Sequence, residues 1–158
     1  MFSVGDKVLY PMHGAGVIEK IEEKEVLGER QDYYIMTLPF GDMSVSIPVG
    51  KRTDVGLRPI IHAEMARRVL DEFGQTLIDE NSNWNKRYRD NMIRIKSGDI
   101  NEVSDVLFSL MKRDHDKGLS TGERKMMVSC RQIFVSEISL SVGCSRDEIE
   151  AVIAKVFV

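Results

Sequence analysis

The sequence predicts a segregated α+β fold, a small N-terminal SH3-like or Tudor-like β-barrel followed by a bundle of about five α-helices. Two observations carry this. Up to Pro59, short alternating or β-rich runs are separated by Gly, Pro and Asp turn signals. Beyond it, each long segment repeats its apolar residues at three- and four-residue spacing and begins or ends on a capping signal. The expected division is therefore residues 1–59 and 60–158, with Pro59-Ile60-Ile61 as the join.

In the first part, Val4 to Tyr10 alternates into Pro11 and reads as a strand. Val17 to Val26 gives a second, and Leu27-Gly28-Glu29-Arg30 a turn. Tyr33 to Leu38 is a β-rich run ended by Pro39. Gly41-Asp42 then turns into Met43 to Pro48, whose strict alternation marks a half-buried strand, and Val55 to Arg58 can close the sheet. Four or five short strands in so few residues suit a small barrel.

The helical part opens with His62 to Phe73, apolar at Met65, Ala66, Val69, Leu70 and Phe73 and stopped at Gly74. Gln75 to Asn83 is polar and loop-like. A helix then runs from Trp84 to Ser97-Gly98, with Gly98 suited to a left-handed position past its end. Asp99 with Glu102 starts the next, which Gly118 stops. Ser120 with Glu123 and Ser145 with Glu148 are two more capping-box spacings. Short connections between such helices imply a compact bundle.

The 158 residues include 22 basic and 25 acidic ones, a formal net charge of −3. Before the join there are 7 basic and 9 acidic residues, and after it 15 and 16. Neither half is basic, so any nucleic-acid contact must come from a local patch. The start leads directly into a strand pattern without a secretory signal, and no apolar run approaches the roughly 18 residues of a membrane helix. Two cysteines, Cys130 and Cys144, make no disulfide framework. A cytoplasmic, reduced setting without membrane contact is expected.

One stretch stands apart. Asn83-Trp84-Asn85-Lys86-Arg87-Tyr88-Arg89 holds the single tryptophan and three basic residues, preceded by Asn81 and Ser82, any of which, like Asn83, can cap a helix. Trp84, Tyr88, Met92 and Ile95 share one helical face, Lys86 and Arg89 point away from it, and Arg87 flanks it. Two readings stay open. The indole plugs the core, as aromatics on apolar stripes usually do, or it protrudes from the first turn as a wedge while cations hold phosphates. Arg124 and Lys125, opening the fourth helix, either join that patch or are ordinary surface charge.

Nothing points to catalysis or a cofactor. His13, His62 and His115 lack partners at metal-ligand spacing, Gly14-Ala15-Gly16 lacks the third glycine and following helix of a dinucleotide loop, and Asp114 and Asp116 do not converge. No small-molecule substrate is expected. What remains is a binding protein with two surfaces, a sheet with edges suited to another protein and a helical module with a cationic patch.

Several separated motifs resemble the CarD/CdnL family of bacterial transcription regulators over essentially the whole chain. They are Val4-Gly5-Asp6-Lys7-Val8-Leu9-Tyr10-Pro11-Met12-His13-Gly14, Gly41-Asp42-Met43-Ser44-Val45, Val55-Gly56-Leu57-Arg58, Asn83-Trp84-Asn85-Lys86-Arg87-Tyr88, Ser97-Gly98-Asp99 and Gly118-Leu119-Ser120-Thr121-Gly122-Glu123-Arg124-Lys125-Met126. The first part also resembles the polymerase-interacting module of transcription-repair coupling factor. The resemblance implies that the β module docks on the RNA polymerase β subunit. It further implies that the helical module reaches promoter DNA beside the upstream end of the −10 element, Trp84 entering the minor groove and stabilising the open complex. Lys86, Arg87 and Arg89 match phosphate-contacting positions, with Arg124 and Lys125 as weaker candidates. Lys24 matches a basic polymerase contact. The family often has arginine where this chain has Ser46, and Val26 and Val45 can supply apolar contacts there. Two rival readings are a protein-only adaptor, whose helical module binds another protein, and free DNA binding without polymerase.

Overall fold

A computed structural model of the chain describes residues 1–38, 43–75 and 83–157. Five strands, β1 (Lys7–Tyr10), β2 (Gly14–Val26), β3 (Glu29–Thr37), β4 (Ser44–Pro48) and β5 (Arg58–Pro59), form one antiparallel sheet in the order β4-β3-β2-β1-β5. The sheet curls around its own core, in which Val8, Ile18, Tyr34, Met36, Ile47 and Leu57 meet, so residues from near both ends of the strand order share one interior.

Strand limits differ from the alternation pattern where pairing decides them. Gly14-Ala15-Gly16 joins β2 because Tyr10, Leu9 and Val8 stand opposite those residues. Glu29 and Arg30 belong to β3, which narrows the expected four-residue turn to Leu27-Gly28 between the paired Val26 and Glu29. Both turn residues have positive φ, 53° and 82°; for leucine this conformation costs about 1 kcal/mol. The closing strand is Arg58–Pro59 rather than Val55 to Arg58, since Leu57 turns inward instead. The turn expected at Gly41-Asp42 lies outside the described residues.

Among the described residues five α-helices follow: α1 (Ala63–Glu72), α2 (Trp84–Lys96), α3 (Ile100–Asp116), α4 (Thr121–Val142) and α5 (Arg146–Ala154). The starts of α2 to α5 follow side-chain caps. Asn83 accepts from Lys86 N–H, Asp99 from Asn101 N–H, Ser120 from Glu123 N–H and Ser145 from Glu148 N–H. Asn81 and Ser82, and most of the loop expected before Asn83, lie outside the described residues. Gly98 has φ 73°, and a Cβ there would come within 3.1 Å of Pro11 Cγ, so this helix end is fitted against the β1–β2 turn. Among the described residues no helix is long and apolar enough to cross a membrane.

Helices and sheet share a core. Adjacent strand residues face opposite interiors: Val8 and Ile18 point into the curled sheet, Leu9 and Ala15 into the helical cluster with Phe134 and Ile138 of α4. Ala15 N–H donates to Ser136 Oγ at 2.9 Å. Arg58 gives two hydrogen bonds to the Glu137 carboxylate, 2.7 and 2.8 Å, and two to the Gly98 carbonyl. Glu137, fully buried, also accepts from Ile61 N–H. One ion pair thereby ties β5, the α2–α3 turn and α4.

Candidate nucleic-acid interface

Trp84 occupies the first position of α2, directly after the Asn83 cap, which puts the indole at the end of the bundle. Neither simple reading of it describes its surroundings. One face stacks on Tyr88, ring centroids 5.1 Å apart and planes 19° from parallel. Its Nε1–H donates to Ser120 Oγ at 3.0 Å, and the ring edge lies over Gly122. The residue is nonetheless 42% exposed. It is a supported ring with an open surface, held by the first turn of α4. Because α2 and α4 both begin here, two capped helix N-termini lie side by side, each equivalent to about half a positive charge.

The cations divide into two groups. Lys86 and Arg89 lie exposed on the outward side of α2, with Ile93 and Lys96 further along the same stripe. Lys86 Nζ bonds Asp90 at 2.8 Å, and that hydrogen bond holds the Asp90 carboxyl below its usual range. Lys125 is exposed and lines a hollow of ≈ 190 Å³ beside Tyr88, with Met12, Met92 and Met126. Arg124 leans on Asp114 at 3.2 Å yet remains half exposed. Arg87 differs. Its guanidinium meets Glu123 at 3.0 and 3.2 Å, with the two side chains only 12% and 2% exposed, and so clamps α2 to α4 beneath the ring.

On the sheet, Lys24 Nζ donates to Ser46 Oγ at 3.0 Å and lies 5.8 Å from the Tyr33 ring centroid. Register places Val26 on the same face as Lys24 and Tyr33. Val45 points the other way, since it neighbours Ser46 in β4 and stands opposite Met36 of the sheet core. The four residues therefore do not form one patch: Lys24, Val26 and Ser46 share a face, and Val45 supports β4 from beneath. Among the described residues β4 pairs only with β3, leaving its outer edge open.

Comparison with known proteins matches residues 2–61 to the CarD-like/TRCF RID domain and residues 68–154 to the CarD C-terminal domain. A protein of Bacillus subtilis (strain 168), YdeB, which carries the name of a transcription factor, is 35% identical over 151 residues, covering 96% of this chain and 99% of its own. The chain belongs to the CarD-like family. Membership supports a role in transcription and, through the RID match, an interaction with RNA polymerase.

Three residues that matter in this CarD-like protein escaped the sequence reading or were read only as local signals. Ser120 signals a cap, but its second role as acceptor for an indole 36 residues away has no local signature. Glu123 reads as the far end of a capping box and is the buried partner of Arg87. Glu137 went unremarked; the available signal was a carboxylate at core spacing from Cys130 and Phe134. Cys130 is a core residue, its thiol donating to Val103 O and pushed by burial up to about 12.

The Ser120 contact gives a direct test, because Trp84 is the one tryptophan and its emission reports on itself. Ser120→Gly costs a helix cap only a few tenths of a kcal/mol but removes the indole acceptor. We expect unchanged melting, increased acrylamide quenching of Trp84, and wild-type quenching restored in Ser120→Thr. Quenching identical in all three would mean that the hydroxyl does not hold the ring.

Proposed function

We propose that this CarD-like protein binds the RNA polymerase β subunit through its sheet and stabilises the open promoter complex with Trp84. In this reading residues 1–59 dock on polymerase, and residues 60–158 bring the indole into the minor groove at the upstream edge of the melted region, near the end of the −10 element. The observation that carries it is the half-exposed indole at two adjoining helix N-termini, braced from behind by Tyr88 and Ser120, with Lys86 and Arg89 exposed on the outward side of the same helix and Lys125 exposed beside Tyr88. A ring braced this way meets a base step without first being ordered.

Unstacking a base step costs a few kcal/mol, so a wedge favours DNA that is already opened. An effector shifts an equilibrium only by its differential affinity, and a preference of ~1.4 kcal/mol for the open form changes open:closed about tenfold. Phosphate contacts by Lys86, Arg89, Lys125 and the more weakly placed Arg124 add affinity in both states and fix register. Affinity for free DNA is low in a chain of negative net charge, and tethering to polymerase supplies the effective concentration. On the sheet, the open edge of β4 suits strand addition by the partner, with Lys24, Val26 and Ser46 on one side of the added strand and Val45 on the other.

Footprinting of polymerase–promoter complexes with and without the protein tests this reading. Altered reactivity at the upstream bubble edge is expected; polymerase binding without any change there would favour the adaptor reading. The cations separate in a second experiment. Arg89→Ala and Lys125→Ala should each flatten the salt dependence of the protein's association with polymerase–promoter complexes by roughly one phosphate, ~0.9 in log–log slope. Arg87→Ala should instead lower the melting temperature by exposing buried Glu123, and a pure slope change in that variant would return Arg87 to the phosphate-contacting set.

A further inference from the structure

The β2–β3 hairpin is longer than the sheet that carries it. Pairing between β3 and β4 begins at Tyr33 opposite Pro48, whereas β3 starts at Glu29. Four residues of β3 and their β2 partners therefore project as a two-stranded arm of about 13 Å. At its tip Val26 and Glu29 pair across Leu27-Gly28, both with positive φ, as in a type I′ turn. That turn selects Asn or Asp before Gly, because their short polar side chains tolerate the left-handed region. This chain places leucine there instead, and the residue is 99% exposed. The backbone is strained and the folded protein gains no packing from the side chain.

Val26 beside it is also exposed and lies on the face of the sheet that carries Lys24 and Ser46. We infer that the hairpin tip is an additional docking element, Leu27 entering an apolar recess on the RNA polymerase surface that faces Lys24 and Ser46. The inference rests on the reading that the sheet docks on polymerase. The arm then reaches past the Pro48 end of β4 to a contact the flat part of the sheet does not make, and the conformational strain at Leu27 is retained for a side chain useful only when bound.

The test is a substitution that improves the free protein while removing the contact. Leu27→Asn supplies the residue the turn prefers, so its melting temperature should equal or exceed that of the wild type. Its affinity for core RNA polymerase should fall about tenfold or more, while Leu27→Met binds as the wild type does. Equal binding by wild type and L27N would overturn the docking role of the tip. No binding by wild-type protein would instead remove the polymerase reading on which it depends. A wild-type dimer in sedimentation that L27N abolishes would assign the tip to a second copy of this chain and overturn the polymerase contact.

Discussion

Trp84→Ala should leave polymerase binding intact and shorten the open-complex lifetime about tenfold, equivalent to ~1.4 kcal/mol of preference for the open state. The substitution acts at the first position of α2, where the indole is 42% exposed, so the folded chain loses a stack on Tyr88 and one exposed hydrogen bond rather than a core residue. An aromatic pair of this kind contributes about 0.5–1.5 kcal/mol. Melting should therefore fall by a few degrees at most, and the circular dichroism spectrum should keep its helical content. Trp84→Phe keeps an apolar wedge without the indole N–H and should recover part of the lifetime. The comparison is decided on one promoter with polymerase saturated by each variant. Unchanged lifetime for Trp84→Ala would remove the wedge from the mechanism, and a large drop in melting temperature would return the ring to the core.

The second large effect concerns Glu137. Glu137→Ala leaves Arg58 without its carboxylate and Ile61 N–H without its acceptor, both at the junction of sheet and helices. Breaking a fully buried ion pair from one side costs about 3–5 kcal/mol, and the partial exposure of Arg58 puts this loss toward the lower end of that range. In a chain of this size that corresponds to roughly 10 °C of melting temperature. The double variant Arg58→Met, Glu137→Leu removes both charges and should recover much of the loss, although the Gly98 carbonyl bonds of Arg58 are not restored. Single variants that melt like the wild type would show that the shared apolar core alone joins the two parts.

Legibility from sequence followed the range of the interactions. Helix starts at Asn83, Asp99, Ser120 and Ser145 were readable because a cap involves residues two or three apart. The strand pattern gave the sheet but misplaced its limits, since Gly14 joins β2 only through Tyr10 opposite it and Glu29 joins β3 only through Val26. The site was half readable. A helical wheel places Lys86 and Arg89 outward, yet it cannot distinguish these exposed side chains from Arg87, whose fate depends on Glu123 across an interhelical contact. Alternation separates Val45 from Ser46 onto opposite faces, which was available from the pattern and became informative once Ser46 was found beneath Lys24.

The sandwiching of β1 and the start of β2, with Val8 and Ile18 turned to one interior and Leu9 and Ala15 to the other, has a metrical consequence. No slack is left between the sheet and the helical cluster, so in the proposed reading the protein acts as a caliper whose jaws are already set. If one jaw rests on polymerase, the other meets the duplex at a constant number of base pairs from the enzyme's own landmarks, whatever bases are found there. Promoters would then be sorted by where their strands first part relative to that mark, and one base pair inserted upstream of the melted segment should matter more than most base changes at the mark itself.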